Sequence, residues 1–228
     1  MRIDKSIRGV FIDLDGTLAD TAPDLTTALN VSLRQLGYPE YSLEKTRHWI
    51  GSGLDQLLHR ALTYEFNGQV TSEQMTQARE AFFVAYEQVN GQQSRLFPGV
   101  LDALIRFKQL GLCVACVTNK GRRYSLQLLQ HLNIAQYFSY VVGGDDVEAK
   151  KPAPDAIEKA FAYYGISAME CLMIGDSDND VYAGNNAGVD VICVDYGYSH
   201  GVNLAELDIL GMISSINDIQ LLSQDAMP

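Results

Sequence analysis

Five short apolar runs, at residues 10–13, 112–118, 140–143, 171–175 and 189–194, alternate with stretches of helical pattern at 100–110, 124–132, 154–164 and 178–187. Gly111, Gly165 and Gly188 stand where three of those helices should end, at positions where a left-handed cap favours glycine. Strands that alternate with helices predict a parallel sheet covered on both faces. The expected class is therefore α/β, with a Rossmann-like parallel sheet.

One block breaks the alternation. Between about Asp20 and about Arg95 no strand pattern occurs. Pro23 suits a first helical turn, and Leu25, Ala28, Leu29, Leu33 and Leu36 follow at helical spacing before Gly37. Leu54, Leu57, Leu58, Ala61 and Leu62 make a second apolar stripe. Thr71 with Gln74 three residues on is a capping-box pattern, and Met75, Ala78, Phe82, Tyr86 and Val89 continue a third helix. The expected organisation is an α/β core over 1–19 and 96–228, with an all-helical insert over 20–95.

The chain has 228 residues, enough for a core and a smaller insert. Acidic residues outnumber basic ones 28 to 17, a net charge of -11, which argues against a nucleic-acid partner. An anionic substrate is then not attracted by net charge, so its site must be locally positive. The first residues, Met1-Arg2-Ile3-Asp4-Lys5, hold no apolar signal run, and no segment has the roughly 20 apolar residues a membrane span needs. A soluble, cytoplasmic protein is expected, a monomer or weak homo-oligomer, since nothing marks an extensive apolar interface. Four cysteines do not make a disulfide framework. Cys113 and Cys116 imitate a redox pair, yet they fall inside an apolar run, where positions three apart face opposite sides of a strand. They are expected to be packing residues, and His48, His59, His131 and His200 show no metal-ligand spacing.

Ligands of an open parallel sheet bind beyond the carboxyl ends of its strands. Asp13 ends the first run and Asp15 comes two residues later, Thr118 and Asn119 end the second, Lys151 lies in the connection after the third, and Asp176 directly succeeds the fourth. Taken singly, Thr118, Asp176 and Asp178 are ordinary helix caps. Taken together they converge on one rim. Asp13, Asp15, Asp176 and Asp180 gathered there would repel one another unless a cation were present. Oxygen donors without histidine or cysteine favour a hard metal, and few carboxylates with room for water favour Mg2+ over a calcium cage.

The segments Asp13-Leu14-Asp15-Gly16-Thr17, Thr118-Asn119, Lys150-Lys151-Pro152 and Gly175-Asp176-Ser177-Asp178-Asn179-Asp180 resemble the four motifs of the haloacid dehalogenase superfamily, in order. The resemblance implies that the helical insert is a cap domain. It implies phosphoryl transfer with Asp13 as nucleophile and Asp15 as general acid and base. It gives Mg2+ to the side chains of Asp13 and Asp176 and the backbone carbonyl of Asp15. Thr118 would bind a phosphoryl oxygen, helped by the Asn119 amide, while Lys151 neutralises charge and Asp180 orients that lysine or a metal-bound water. The motif pairs lysine with proline, which selects Lys151 over Lys150. The second aspartate, Asp15, points to phosphate esters, because an alkoxide leaving group needs an acid and a halide does not.

Further segments resemble the phosphoglycolate phosphatase family: Trp49-Ile50-Gly51-Ser52-Gly53, Arg60-Ala61-Leu62, Gly143-Gly144-Asp145-Asp146-Val147, Asp195-Tyr196-Gly197-Tyr198 and Ser215-Ile216-Asn217-Asp218. A small phosphorylated metabolite, 2-phosphoglycolate, is the implied substrate. Gly51, Ser52 and Gly53 would let backbone amides or a hydroxyl approach it. Arg47 and Arg60 could add charge, but the plainer reading of both is solvation. Alternatives are another small phosphate (a sugar phosphate, an amino-sugar acid phosphate or pyrophosphate) or a phosphosugar mutase. The mutases usually carry an arginine shortly after the cap glycine, where Gly53-Leu54-Asp55 stands here. A phosphonatase would need a cap lysine, for which Lys45 alone is available. A catalytically silent binding protein would not need the full motif set.

Overall fold

The computed structural model describes residues 1–3, 5–64, 69–199 and 201–221. The chain runs β1 (Arg2–Ile3), β2 (Gly9–Ile12), β3 (Ala19–Asp20), α1 (Ala22–Gln35), α2 (Leu43–Arg47), α3 (Leu54–Thr63), α4 (Ser72–Val89), β4 (Arg95–Leu96), α5 (Val100–Gln109), β5 (Cys113–Val117), α6 (Arg122–His131), β6 (Tyr140–Val142), α7 (Asp155–Tyr164), β7 (Cys171–Gly175), α8 (Asp178–Asn186), β8 (Asp190–Val194), β9 (Gly211–Ile213) and β10 (Gln220–Leu221). Six strands form a parallel sheet in the order β6-β5-β2-β7-β8-β9. The order reverses at β2, so a crevice opens where its end lies between those of β5 and β7. Register brings the site together: Ile12 pairs with Cys116 on one side and Ile174 on the other. Asp13, Thr118 and Asp176, each one or two residues beyond this row, therefore emerge at one rim.

Side chains alternate across the sheet. Val10, Ile12, Val114, Cys116, Leu172 and Ile174 pack on one face against Val100, Leu104 and Phe107 of α5 and Leu128 of α6. Phe11, Ala115, Val117, Met173 and Val191 pack on the other against Ile157 and Ala160 of α7 and Val181 of α8. Each large side chain fully buried this way stabilises the fold by about 1.5–3 kcal/mol relative to exposure. Cys116 joins the first layer and Cys113 packs against the second, so the two thiols face apart, as strand spacing requires.

The helices α1–α4 have a separate apolar cluster. Leu25, Leu29 and Leu33 of α1 pack there with Leu57 and Leu58 of α3 and Phe82 and Tyr86 of α4. The Thr71–Gln74 capping box forms. Gly111, Gly165 and Gly188 all have positive φ, and Gly165 caps α7 in the left-handed region. Two polar locks hold this block, the first between its own beginning and end, the second between its start and the segment after β8. The Asp24 carboxylate, fully buried, accepts from the backbone N–H groups of Gly91, Gln93 and Ser94 and from the Ser94 hydroxyl. The Tyr198 hydroxyl donates to Asp20 and accepts from the amides of Thr21 and Ala22.

The structure adds strands that the sequence pattern does not announce. β9 extends the sheet, and β3 pairs antiparallel with β4 where the helical block begins and ends. Each has two or three residues, too few for an alternation to be seen. His200 lies outside the described residues. His48 pairs through Nδ1 with the Glu44 carbonyl one turn back, and His131 through Nδ1 with the Asn90 carbonyl, 41 residues away in the chain. No helix among the described residues is long and apolar enough to cross a membrane.

Candidate active site

Asp13 comes directly after the last residue of β2, and its amide continues the ladder to the Ile174 carbonyl (3.0 Å). Its Oδ1 accepts from Lys151 Nζ at 2.8 Å. The same ammonium donates to Asp180 Oδ1 (2.6 Å) and the Val117 carbonyl (2.9 Å), so its three donors have three partners. Burial alone would lower the Lys151 pKa, but the charges of Asp13 and Asp180 raise it well above the usual lysine value. Asp180 is held from its other side. Its Oδ2 accepts from the amides of Asp176 and Ser177 and from the Ser177 hydroxyl, in the capping box that starts α8.

Asp176 lies just past β7, and its two oxygens accept from the Thr17 hydroxyl (2.6 Å) and the Tyr198 amide (2.6 Å). Gly16 and Gly197 pass so close that a Cβ on either would collide with this side chain. Oxygens of Asp13, Asp176 and Asp180 lie within 4.8 Å of one another, and all three residues are buried. Burial pushes the Asp13 carboxyl up to about 6, with Lys151 opposing and Asp180 reinforcing. Burial, then Asp180 and Asp13, raise Asp176 well above the carboxylate range. Three carboxylates facing one ammonium are a set that a hard divalent cation fits. Asp180 accepts from Lys151 at Oδ1 and from three donors at Oδ2, whereas each Asp176 oxygen accepts from one donor and Asp13 accepts from Lys151 at Oδ1, which leaves Asp13 and Asp176 as the less engaged carboxylates.

The Asp15 carboxylate is not in this cluster. It accepts from Lys120 Nζ at 2.8 and 3.1 Å, an ion pair with side chains 13% and 7% exposed. Thr118 is buried, and its hydroxyl accepts from the Lys120 amide (3.2 Å), which leaves its own proton for another acceptor. The Asn119 side chain bridges core and helical block, donating to the carbonyls of Lys151 (2.9 Å) and Gly51 (3.2 Å).

A cavity of about 260 Å³ lies over these groups. Asp13, Asp15, Thr118, Asn119 and Lys120 line its floor, with Gly51, Gly53, Leu57, Phe82 and Tyr86 among the residues from the helical block. The Ser52 hydroxyl accepts instead from Asn179 Nδ2 at 3.4 Å. Arg47 and Arg60 depart from the solvated reading. Arg47 pairs with Asp20 at 2.5 Å and Arg60 donates to the Trp49 carbonyl at 3.1 Å, both half-buried structural ties outside the cavity lining. Lys150 is exposed and lines the cavity. Sequence reasoning missed Lys120 and Tyr86. Lys120 comes immediately after Thr118-Asn119, a signal of proximity to the rim, whereas Tyr86 reads only as one more apolar-stripe residue.

Comparison with known proteins identifies the family of the chain and its fold. A model of the haloacid dehalogenase-like hydrolase family matches residues 10–194. The phosphoglycolate phosphatase of Nitrosococcus oceani is 38% identical over 218 residues, covering 95% of this chain and 97% of the relative. That of Escherichia coli K12 is 38% identical over 233 residues, covering 94% and 92%. A crystal structure from Haemophilus somnus, described as a predicted phosphoglycolate phosphatase, superposes with a TM-score of 0.87 at 29% identity over 94% of this chain and 97% of that one.

Proposed function

The chain belongs to the haloacid dehalogenase-like hydrolases, within the phosphoglycolate phosphatase family, and is a phosphatase; from that premise we propose that it hydrolyses 2-phosphoglycolate to glycolate and phosphate, with Mg2+, through an aspartyl phosphate on Asp13. One observation carries the reading. Two carboxylates with one residue between them leave the same strand end for different partners, Asp13 for Lys151 and Asp15 for Lys120. Nucleophile and proton carrier need such separate settings.

In the first step an Asp13 oxygen attacks phosphorus, the bond to the ester oxygen breaks, and Asp15 gives that oxygen a proton. In the second, water attacks the aspartyl phosphate, Asp15 takes its proton, and phosphate leaves. Asp13 needs no base, only protection from protonation, which Lys151 supplies in part. Thr118 donates to a phosphoryl oxygen and Lys151 balances the charge that develops there. Asp13 and Asp176 would hold the magnesium, with the Asp15 carbonyl. When bound, that ion would supply positive charge to balance the phosphoryl group and the attacking carboxylate.

Residues 20–95 serve as the cap and the remainder as the catalytic core. Closure over a small ester excludes water until the ester is seated. A phosphonatase reading finds no support, because Lys45 stacks over the rings of Tyr64 and Trp49 and does not line the cavity. The test is phosphate release with Mg2+ from 2-phosphoglycolate, sugar phosphates, an amino-sugar acid phosphate and pyrophosphate, compared as kcat/KM. Preference for 2-phosphoglycolate is expected. Asp15→Asn should lose about 10²–10⁴-fold on alkyl esters and far less on an aryl ester with a good leaving group. Equal loss on both would remove Asp15 from the acid role, and preference for another ester would reassign the substrate.

A further inference from the structure

The cations that line the cavity differ in how far they are spent. Arg79 is held by Asp55 and Arg123 by Glu87. Lys120 Nζ donates to the two oxygens of one carboxylate, Asp15, and an ammonium has three N–H groups. Beside it stands Tyr86 of α4, whose ring centre lies 5.1 Å from Lys120 Nζ. The Tyr86 hydroxyl is buried; Lys120 interacts with its oxygen, but among the described residues no acceptor meets its O–H in hydrogen-bonding geometry. Burial, opposed by the charge of Lys120, pushes this phenol up to about 12, so it stays a donor throughout the range in which such an enzyme is assayed. Its ring neighbours Phe82 and Tyr124 pack against the Tyr86 ring without placing an acceptor in hydrogen-bonding geometry with its hydroxyl.

Buried donors without acceptors are rare in folded proteins, and each marks a place where something binds or where strain is held. Here a phenol O–H without an acceptor stands beside the Lys120 ammonium at one corner of the cavity. That corner adjoins Asp15, the group proposed to protonate the leaving oxygen. In 2-phosphoglycolate the carboxylate carbon is two bonds beyond that oxygen. A carboxylate has two oxygens, one for each donor.

We infer that Tyr86 and Lys120 form the seat for the carboxylate of the leaving group, and that Tyr86 is the cap residue by which the site selects carboxylated phosphates. The inference rests on the 2-phosphoglycolate reading and adds the residues that enforce it. A phosphate whose leaving group lacks the carboxylate leaves the buried phenol O–H unpaired, and sites of that kind discriminate strongly.

The experiment compares kcat/KM for 2-phosphoglycolate and ethyl phosphate, which replaces the carboxylate by a methyl group, in the wild type, Tyr86→Phe and Lys150→Met. The wild type should prefer 2-phosphoglycolate. Tyr86→Phe should reduce the ratio of the two values about ten- to hundredfold, the scale of one hydrogen bond to a charged group. Its melting curve should stay at or above that of the wild type, because the lost O–H had no acceptor in the fold. If the wild type shows no preference, the substrate reading falls and the seat with it. If the wild type prefers 2-phosphoglycolate and Tyr86→Phe keeps the ratio, the seat alone is wrong. A ratio that collapses in Lys150→Met instead would move the seat to the cavity mouth. A clear drop in melting temperature for Tyr86→Phe would mean that the hydroxyl is structural, which also overturns the inference.

Discussion

Lys151 is the residue on which the charge balance of the site turns. Its ammonium lies between Asp13 and Asp180, and neither carboxylate has another cation as close among the described residues. Removing one partner of a buried pair leaves the others uncompensated and costs about 3–5 kcal/mol. Lys151→Met should therefore abolish turnover and destabilise the protein by that amount at neutral pH. The deficit should shrink near about pH 5, where Asp13 carries a proton and asks less of the lysine. Denaturant unfolding at both pH values checks this. Lys150→Met, which changes an exposed side chain with no ion pair among the described residues, should leave stability alone. The opposite result for the two lysines would reverse their assignment. At this scale Asp13, Asp176 and Lys151 are legible in the sequence because each sits at a strand end or in the connection beyond one. The direction of Asp15 toward Lys120 is not, since nothing in the spacing favours Lys120 over the cluster of Asp13, Asp176 and Asp180.

Among the elements, those governed by local chemistry are the most readable. Thr71 and Gln74 start α4 by bonding each other's backbone, and Gly165 ends α7, without help from the rest of the fold. Apolar stripes likewise mark α1 and α3. What stays hidden is set by the meeting of distant segments: the three-residue β9, the β3–β4 ribbon, and the lock between Asp24 and residues 91–94. Asp24 receives four hydrogen bonds from the segment that leaves the helical block, so Asp24→Ala leaves several buried donors unpaired. A loss of about 3 kcal/mol is expected, each unpaired donor costing about 1–3 kcal/mol before relaxation. Amide exchange should speed up in α1 and α4 while β2, β5 and β7 keep their protection. Uniform loss across the sheet would show that the helical block does not open on its own.

Across the whole molecule, an acidic chain concentrates buried carboxylates at one rim, and this couples folding to pH and to metal. Asp13 has a folded value of about 6 against 3.8 for an ordinary carboxyl, and Asp176 is raised as well. Between those values the folded chain keeps a proton that the unfolded chain has lost. The metal-free protein therefore loses stability as pH rises through that window, and the penalty is complete above about 6. The divalent cation proposed for Asp13 and Asp176 would bind the ionised form and reverse the penalty. Mg2+ should raise the melting temperature by more at about pH 7.5 than at about pH 5, an ordering that Asp176→Asn should flatten. An equal shift at both pH values would place the ion elsewhere. The central claim, that Asp13 becomes covalently phosphorylated, is tested most directly by an acid quench of the enzyme turning over 2-phosphoglycolate with a radiolabelled phosphoryl group in Mg2+. The account predicts label that survives acid, leaves with hydroxylamine, maps to the peptide containing Asp13 and is absent from Asp13→Asn. Rapid phosphate release with no trapped label, or label that persists in Asp13→Asn, would contradict it.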